Sequence, residues 1–323
     1  MIEYLVRRVL QMIPLLIFIS IFSFAIAEFA PGDPVMMYIS PEKRELTAEE
    51  LDVIRHELGL DRPVHVRYLT WVKDMFEGNW GYSLRTSNTV RNEIMARLPN
   101  TMILGGLALF LTIVISIPIG VVSALKRHTI VDYVVTLGAF IGISMPSFWL
   151  ALILIELFAN RLGILPSVGM TNVGRNITGW AHVLDVGKHL ILPAITLSFT
   201  SIAYWSRYQR ATLIENLNLD YITTARGKGL SERIVVFRHA FRNALIPVVT
   251  LAGLSLPDIV NGAYITESVF GWPGMGRLGI TAIQNRDYPV VMGVTMLSAL
   301  LVVGGNLVAD ILYVMVDPRI RYK

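Results

Sequence analysis

Few side chains in this sequence could do covalent chemistry, and their spacing removes most of what remains. The chain has no cysteine, which excludes thiolate nucleophiles, thiolate metal sites and disulfides. Its histidines, His56, His65, His128, His182, His189 and His239, are scattered, and no H-E-x-x-H pair places two metal ligands on one helix face. A phosphate-cradling loop needs G-x-x-x-x-G-K-[ST], whereas the only Gly-Lys pairs are Gly187-Lys188 and Gly227-Lys228 in other contexts. Serines are available, but none is paired convincingly with a base.

Two features survive this filter. Asp258 follows Pro257 within an apolar run, with Asn261 nearly one turn further on. A carboxylate in such a run is costly and faces a bundle interior or water, and the proline frees a backbone carbonyl that needs a partner. This face is a candidate translocation path; the competing reading is that Asp258 only satisfies groups freed at the kink or pairs with a neighbouring helix. The second feature is the segment from Asp220 to Pro247, basic and punctuated by Gly227 and Gly229.

The elements that must position these residues follow from hydropathy. Hydrophobic residues make up 54% of the 323 and charged residues 16%, far below the roughly 25% charged norm of soluble domains. With a mean hydropathy of +0.56, the class is a polytopic membrane protein. The net charge of +4 does not point to nucleic acid, because the basic residues cluster between apolar runs, as an anionic inner leaflet favours. Residues 9 to 29 form the first span, preceded by Arg7 and Arg8 and too long for the 7 to 15 residue core of a cleaved signal despite Ala25 and Ala27. Five more spans are expected at about 100–125, 130–158, 189–208, 246–266 and 289–315. Alternation then places Lys126, Arg127 and His128, the Asp220 segment and the tail with Arg319, Arg321 and Lys323 inside, with both termini cytoplasmic.

Outside lies a polar stretch ending near Arg97. It opens with the Pro31-Gly32-Asp33-Pro34 turn, which ends the first span. Thr47 and Glu50 predict a capping box and a helix closed by Gly59, and Pro63 to Gly78 predicts a second short helix. Its nine basic residues are matched by eleven acidic ones, so it does not overturn the topology. The segment 160–187 and the Gly271-Trp272-Pro273-Gly274 turn are also outside, where Trp71, Trp80, Trp180 and Trp272 read as an aromatic belt. Gly138 and Gly142 form a G-x-x-x-G that permits close helix contact, Glu28, Glu156 and Asp310 sit near span ends, and Asn176-Ile177-Thr178 matches a glycosylation sequon.

Within the basic segment, Asp220 is placed to cap a short helix with Tyr221, Ile222 and Ala225 on one face, ended by Gly227 and Gly229; Ser231 is placed to cap a second helix from Glu232. The small residues Ala225, Gly227 and Gly229 offer a surface that another protein's groove can approach closely. A positive loop that merely fixes orientation is the competing reading.

The run Tyr221-Ile222-Thr223-Thr224-Ala225-Arg226-Gly227-Lys228-Gly229-Leu230-Ser231-Glu232-Arg233, followed by His239 to Pro247, resembles the EAA-type coupling loop of binding-protein-dependent ABC importer permeases, in the dipeptide, oligopeptide and nickel branch. Tyr4, Arg7, Arg8, the Pro31 turn, Leu58 to Pro63, Gly78 to Ser83, Glu267 to Gly276 and Arg286 to Pro289 extend the resemblance over essentially the whole chain, to the first, B-type subunit. Thr223 and Thr224 stand where the generic loop has Glu and Ala.

The resemblance implies an all-α integral membrane protein of the type I importer permease kind, with six transmembrane helices and a helical extracytoplasmic region after the first. It implies residues 1–97 as anchor plus outer region, 98–316 as the five-span core and 317–323 as a cytoplasmic tail, in a bacterial or archaeal inner membrane. It implies a second homologous permease subunit, two cytoplasmic ATPase subunits that carry the ATP and Mg²⁺, and an extracytoplasmic peptide-binding protein. The chain itself would bind no cofactor or metal and would not be an enzyme. Asp220, Tyr221, Thr224, Ala225, Arg226, Gly227, Gly229 and Leu230 would form the ATPase-coupling loop, and Trp272, Pro273 and Arg277 the binding-protein docking surface. Nickel import within the same family and an ion-coupled carrier or channel are the alternatives; the latter calls for several mid-membrane ionisable groups, and Asp258 is one good candidate.

Overall fold

A computed structural model describes residues 2–30, 47–57, 59–172, 178–261 and 263–316, with the side chains of residues 2–6, 48, 51, 54, 260–261 and 312–316 excepted. The Pro31-Gly32-Asp33-Pro34 turn, Leu58, most of the sequon at Asn176-Ile177, and the tail with Arg319, Arg321 and Lys323 lie outside the described residues.

The regular secondary structure of the described residues is helical, apart from an isolated bridge between Tyr82 and Thr89: α1 (Ile2–Glu28), α2 (Ala48–Glu57), α3 (Val64–Phe76), α4 (Val90–Leu125), α5 (Ile130–Ser144), α6 (Ser147–Leu154), α7 (Trp180–Leu217), α8 (Asp220–Gly227), α9 (Glu232–Ile234), α10 (Phe241–Ala244), α11 (Ile246–Leu254), α12 (Leu256–Asn261), α13 (Tyr264–Val269), α14 (Met275–Gln284) and α15 (Tyr288–Val316). A π-helical turn, Ile155–Arg161, prolongs α6, and another, Val235–Ala240, joins α9 to α10.

Five helical stretches are long and apolar enough to cross a membrane: Arg7–Glu28, Val90–Leu125, Trp180–Leu217, Glu232–Ile259 and Tyr288–Ile311. The third expected span, at 130–158, is not straight. Ile130–Ser144 and Ser147–Arg161 are bent by 105° at Met145-Pro146. Pro146 lacks an N–H, and its ring pushes Met145 into the extended region (φ −82°, ψ 121°), so the helix must stop and restart. The fifth span also departs from its expected limits, because the helical run begins at Glu232, breaks at Ser255 and resumes as α12 and α13.

The chain divides into two compact units, Met1–Leu98 with Leu278–Leu301, and Pro99–Arg277 with the C-terminal residues from Val302. In the first unit the expected capping box forms: the Thr47 N–H donates to Glu50 Oε2 at 2.8 Å and the Glu50 N–H to Thr47 Oγ1 at 3.4 Å. That backbone hydrogen bond holds the Glu50 carboxyl below its usual range. Gly59 and Gly78 follow α2 and α3 with φ of +64° and +85°, the left-handed conformation that ends each helix. Arg67 donates to Glu28 at 2.6 Å, and Tyr68 and Trp71 pack against Phe24, which fixes α3 to the end of α1. Asp287 accepts from Ser83 Oγ at 2.5 Å and the Leu84 N–H at 3.1 Å, tying residues two hundred positions apart.

In the second unit, three small residues let helices touch. A Cβ on Gly105 would lie 2.9 Å from Ile259 Cα, and one on Gly120 would lie 2.6 Å from Ser206 O. Gly142 of the expected G-x-x-x-G does the same against Ala203, whereas Gly138 faces open space. Glu156, near the end of the bent span, is exposed and pairs with Arg161 at 3.0 Å.

Candidate functional site

The Asp220 segment is seated on the ends of the long helices. Ile222 (0% exposed) and Ala225 (6%) of α8 face inward, against Val121 and Ala124 of α4, Leu213 of α7, and Val235, Ala240 and Ala244 of the following segment. This corrects two expectations: Ala225 is buried within its own chain and gives no surface to a partner, and Tyr221 does not share the buried face. Tyr221 lies at the edge of α8, where its hydroxyl donates to Asn216 Oδ1 and accepts from Asn243 Nδ2, both at 3.0 Å.

The outer face carries Asp220, Thr223, Thr224, Arg226, Gly227, Lys228, Gly229 and Leu230, all exposed. Asp220 is the first helical residue and Leu219 occupies the cap position, so Asp220 favours the helix by its charge at the positive end and makes no side-chain cap. Ser231 stands at the next cap position with extended backbone but no side-chain bond. The turn between the two helices is a Schellman motif. The Leu230 N–H reaches Ala225 O, the Gly229 N–H reaches Arg226 O, and Gly229 adopts φ +74°. Arg226 then bridges to Glu232 through two hydrogen bonds, at 2.6 and 3.1 Å. The result is a short, exposed helix with a polar outer face, fixed from below and stapled at its end.

Sequence reasoning did not identify the cluster beside that seat. Asp132, 3% exposed at the start of α5, accepts from Ser123 Oγ (2.6 Å), the His128 N–H (3.0 Å), and Arg210 Nε and Nη2 (2.6 and 2.8 Å). Asp132 lies two residues inside an apolar run and Arg210 in another span, so only their three-dimensional proximity reveals the pair.

The Asp258 region lines a half-open cavity of about 250 Å³. Asp258 lines it together with Thr112, Ser201 and Ser255, against Leu104 and Trp205. Asn261 belongs to the same short helix, α12, but its side chain is outside the described residues. Glu267 closes the cavity and is itself fully buried. Its carboxylate accepts from Thr101 Oγ1 at 2.9 Å and the Arg277 N–H at 2.8 Å, and burial pushes its pKa up. Gly274 makes room for it, since a Cβ there would lie 2.3 Å from the carboxylate. Glu267 stands in the quoted Glu267 to Gly276 run, but hydropathy gives no sign of its burial because it lies past the end of the apolar segment.

Trp272 is also buried completely, among Leu104, Leu190 and Ala194, and its indole N–H donates to Asn100 O at 3.0 Å. It therefore belongs neither to an aromatic belt nor to a docking surface. Pro273 is half-buried, with its carbonyl accepting from Asn100 Nδ2 at 2.9 Å; Arg277 is exposed, with Nη1 donating to Gly271 O at 2.8 Å.

Residues 116–322 match the family described as binding-protein-dependent transport system inner membrane component, and residues 1–105 match the N-terminal family of such membrane components. The chain is 43% identical over 323 residues to the oligopeptide transport system permease protein AppB of Bacillus subtilis, with 100% of both chains covered. It is 40% identical to the di/tripeptide transport system permease protein DppB of Pseudomonas aeruginosa and 37% identical to the dipeptide transport system permease protein DppB of Escherichia coli K12, each over 340 residues and again covering 100% of both chains.

Proposed function

This chain belongs to the family of binding-protein-dependent transport system inner membrane components, multi-pass subunits of ABC importers, and we propose that it forms half of a peptide translocation pathway as the first permease subunit. The substrate reading is supported by the names of full-length relatives, which are oligopeptide, di/tripeptide and dipeptide permeases. An ion-coupled carrier is not favoured.

The observation that carries the mechanism is the placement of α8: its outer face is free while its inner face is locked onto the ends of α4 and α7. In this reading ATP and Mg²⁺ bind to partner subunits, which is supported by the lack of a P-loop pattern in the sequence. A groove on one ATPase subunit grips the outer face of α8, around Tyr221, Thr224, Arg226 and Lys228 to Leu230. When the ATPases close and reopen, α8 carries the spans beneath it between inward-open and outward-open populations. This reading places the termini in the cytoplasm, a second permease subunit beside the chain, and a binding protein on the outer region, with Pro273 and Arg277 retained as contacts and Trp272 removed. Asp258 lines the pathway, and Asn261 belongs to the same short helix, α12.

Crosslinking tests the orientation. In the assembled importer, cysteines at Thr224 or Lys228 should capture an ATPase subunit, while a cysteine at Ala225 should not. Capture of the ATPase from outer-region positions such as Arg62 would reverse the topology.

A further inference from the structure

The seat of α8 draws its residues from α4, α7 and the segment preceding α11; among the described residues of that cluster, none comes from α5. The bent third span thus supplies no residue to that cluster. Asp132 supplies the missing link. It stands in the first turn of α5, and its four acceptor contacts run to α4 (Ser123), to the α4–α5 turn (His128) and, bidentate, to α7 (Arg210). Ser123 lies next to Ala124 and two residues after Val121, and Arg210 lies one turn before Leu213, all three residues of the α8 seat. The clamp and the seat thus share the same two helices at adjoining turns.

The turn itself is built around the clamp. His128 adopts φ +65°, a conformation uncommon for a residue with a side chain, and in that conformation its N–H points at Asp132 Oδ2. Further along, Gly142 closes on Ala203, and the Arg207 guanidinium sits 4.3 Å over the Phe140 ring, so α5 and α7 are joined along their length.

We propose that Asp132 is a positioning residue for coupling: with Arg210 and Ser123 it hands the movement of α8 to the third span, so that α4, α5 and α7 move as one block. This rests on the coupling-helix reading above. A bidentate, fully satisfied carboxylate suits the task because it transmits both push and rotation, which a greasy contact at that point would allow to slip.

The test uses the complete importer, reconstituted with its permease and ATPase partners, with spin labels at Thr224 on α8 and Leu137 on α5. In the wild type the distance distribution should be narrow and the same in nucleotide-free and ATP-trapped states. Asp132→Asn should broaden or shift it in the trapped state and lower peptide uptake per ATP hydrolysed by about tenfold, while hydrolysis stays near wild type. Ser123→Ala, which removes one donor of four, should give a smaller change in the same direction and serves if Asp132→Asn does not assemble. Unchanged distances in an assembled variant overturn the proposal, as do uptake and hydrolysis that fall in strict proportion. The distance readout needs no substrate, so a failure of the peptide reading leaves it intact; loss of the ATPase crosslink at Thr224 in the wild type would instead remove the coupling-helix reading itself.

Discussion

Glu267 shows what a single residue does in the turn before the last span. Its carboxylate is buried and held by neutral donors, Thr101 Oγ1 and the Arg277 N–H at the start of α14, where the helix end favours negative charge. Thr101 in turn accepts from the Met275 N–H at 2.7 Å, so one carboxylate organises the whole Gly-Trp-Pro-Gly turn against α4. Burial wins over these donors and raises its pKa. A folded-state value above the unfolded one of roughly 4.3 means that the stability contribution is full below that value and is lost as pH rises through the folded value. The Glu267→Gln variant lacks this titration. Melting temperatures of the two purified proteins should therefore diverge between acidic and neutral pH, with the wild type losing stability relative to Glu267→Gln as pH rises. A difference that is independent of pH would contradict the assignment. The run Glu267 to Gly276 was legible in the sequence as a family pattern, yet the burial of Glu267 and Trp272 was not. A polar or aromatic residue beside an outer turn reads equally well as surface, and only the packing of α4 against the turn decides.

At the scale of elements, the sequence was informative about α8 and misleading about its sides. Spacing identified a helix from Asp220 to the glycines, and it forms there. Which face is free depends on how far α7 projects past the apolar limit of 208 read from hydropathy, to Leu217, beside the end of α4 at Leu125, and this makes a floor for α8 that composition does not reveal. The same blindness concealed the 105° bend, because hydropathy registers which residues are apolar and not the direction the chain takes between them. Pro99, Pro118 and Pro193 sit inside unbroken helices, so a proline alone did not mark Pro146 as the break. The seating of α8 gives a sharp prediction. Ile222→Ala opens a cavity in the cluster and should destabilise the coupling segment by about 2–4 kcal/mol, seen as faster proteolysis between Asp220 and Arg242. Thr224→Ala, on the outer face, should leave proteolysis unchanged while weakening ATPase capture. Equal protease sensitivity of the two variants would contradict the inside-outside assignment.

For the whole molecule, five of the six expected spans were legible as long apolar helices and the third became a bent pair, and the early helices formed where caps and glycines announced them. The composition of the first unit was not legible: Leu278–Leu301 joins residues before Leu98 through contacts such as Ser83 with Asp287, and no local pattern encodes a pairing across so long a separation. The pathway is likewise a property of the assembly of helices. Asp258 became a candidate by its cost in an apolar run, and the fold adds a cavity of about 250 Å³ whose wall combines its carboxylate with the hydroxyl-bearing Thr112, Ser201 and Ser255. A helix break at Ser255 and a proline at 257 place it where the backbone no longer satisfies itself in regular fashion, which is tolerated in a membrane where the chain lines water. If peptides pass this wall, Asp258→Asn should reduce uptake by about tenfold, an effect of the size expected when a charged hydrogen-bonding group is lost from a path. The complex should still assemble, and the crosslink from Thr224 to the ATPase should persist, because α8 and its seat lie on different residues. Uptake and assembly both at wild-type levels would remove Asp258 from the pathway, and loss of assembly would make it a partner of a neighbouring helix instead.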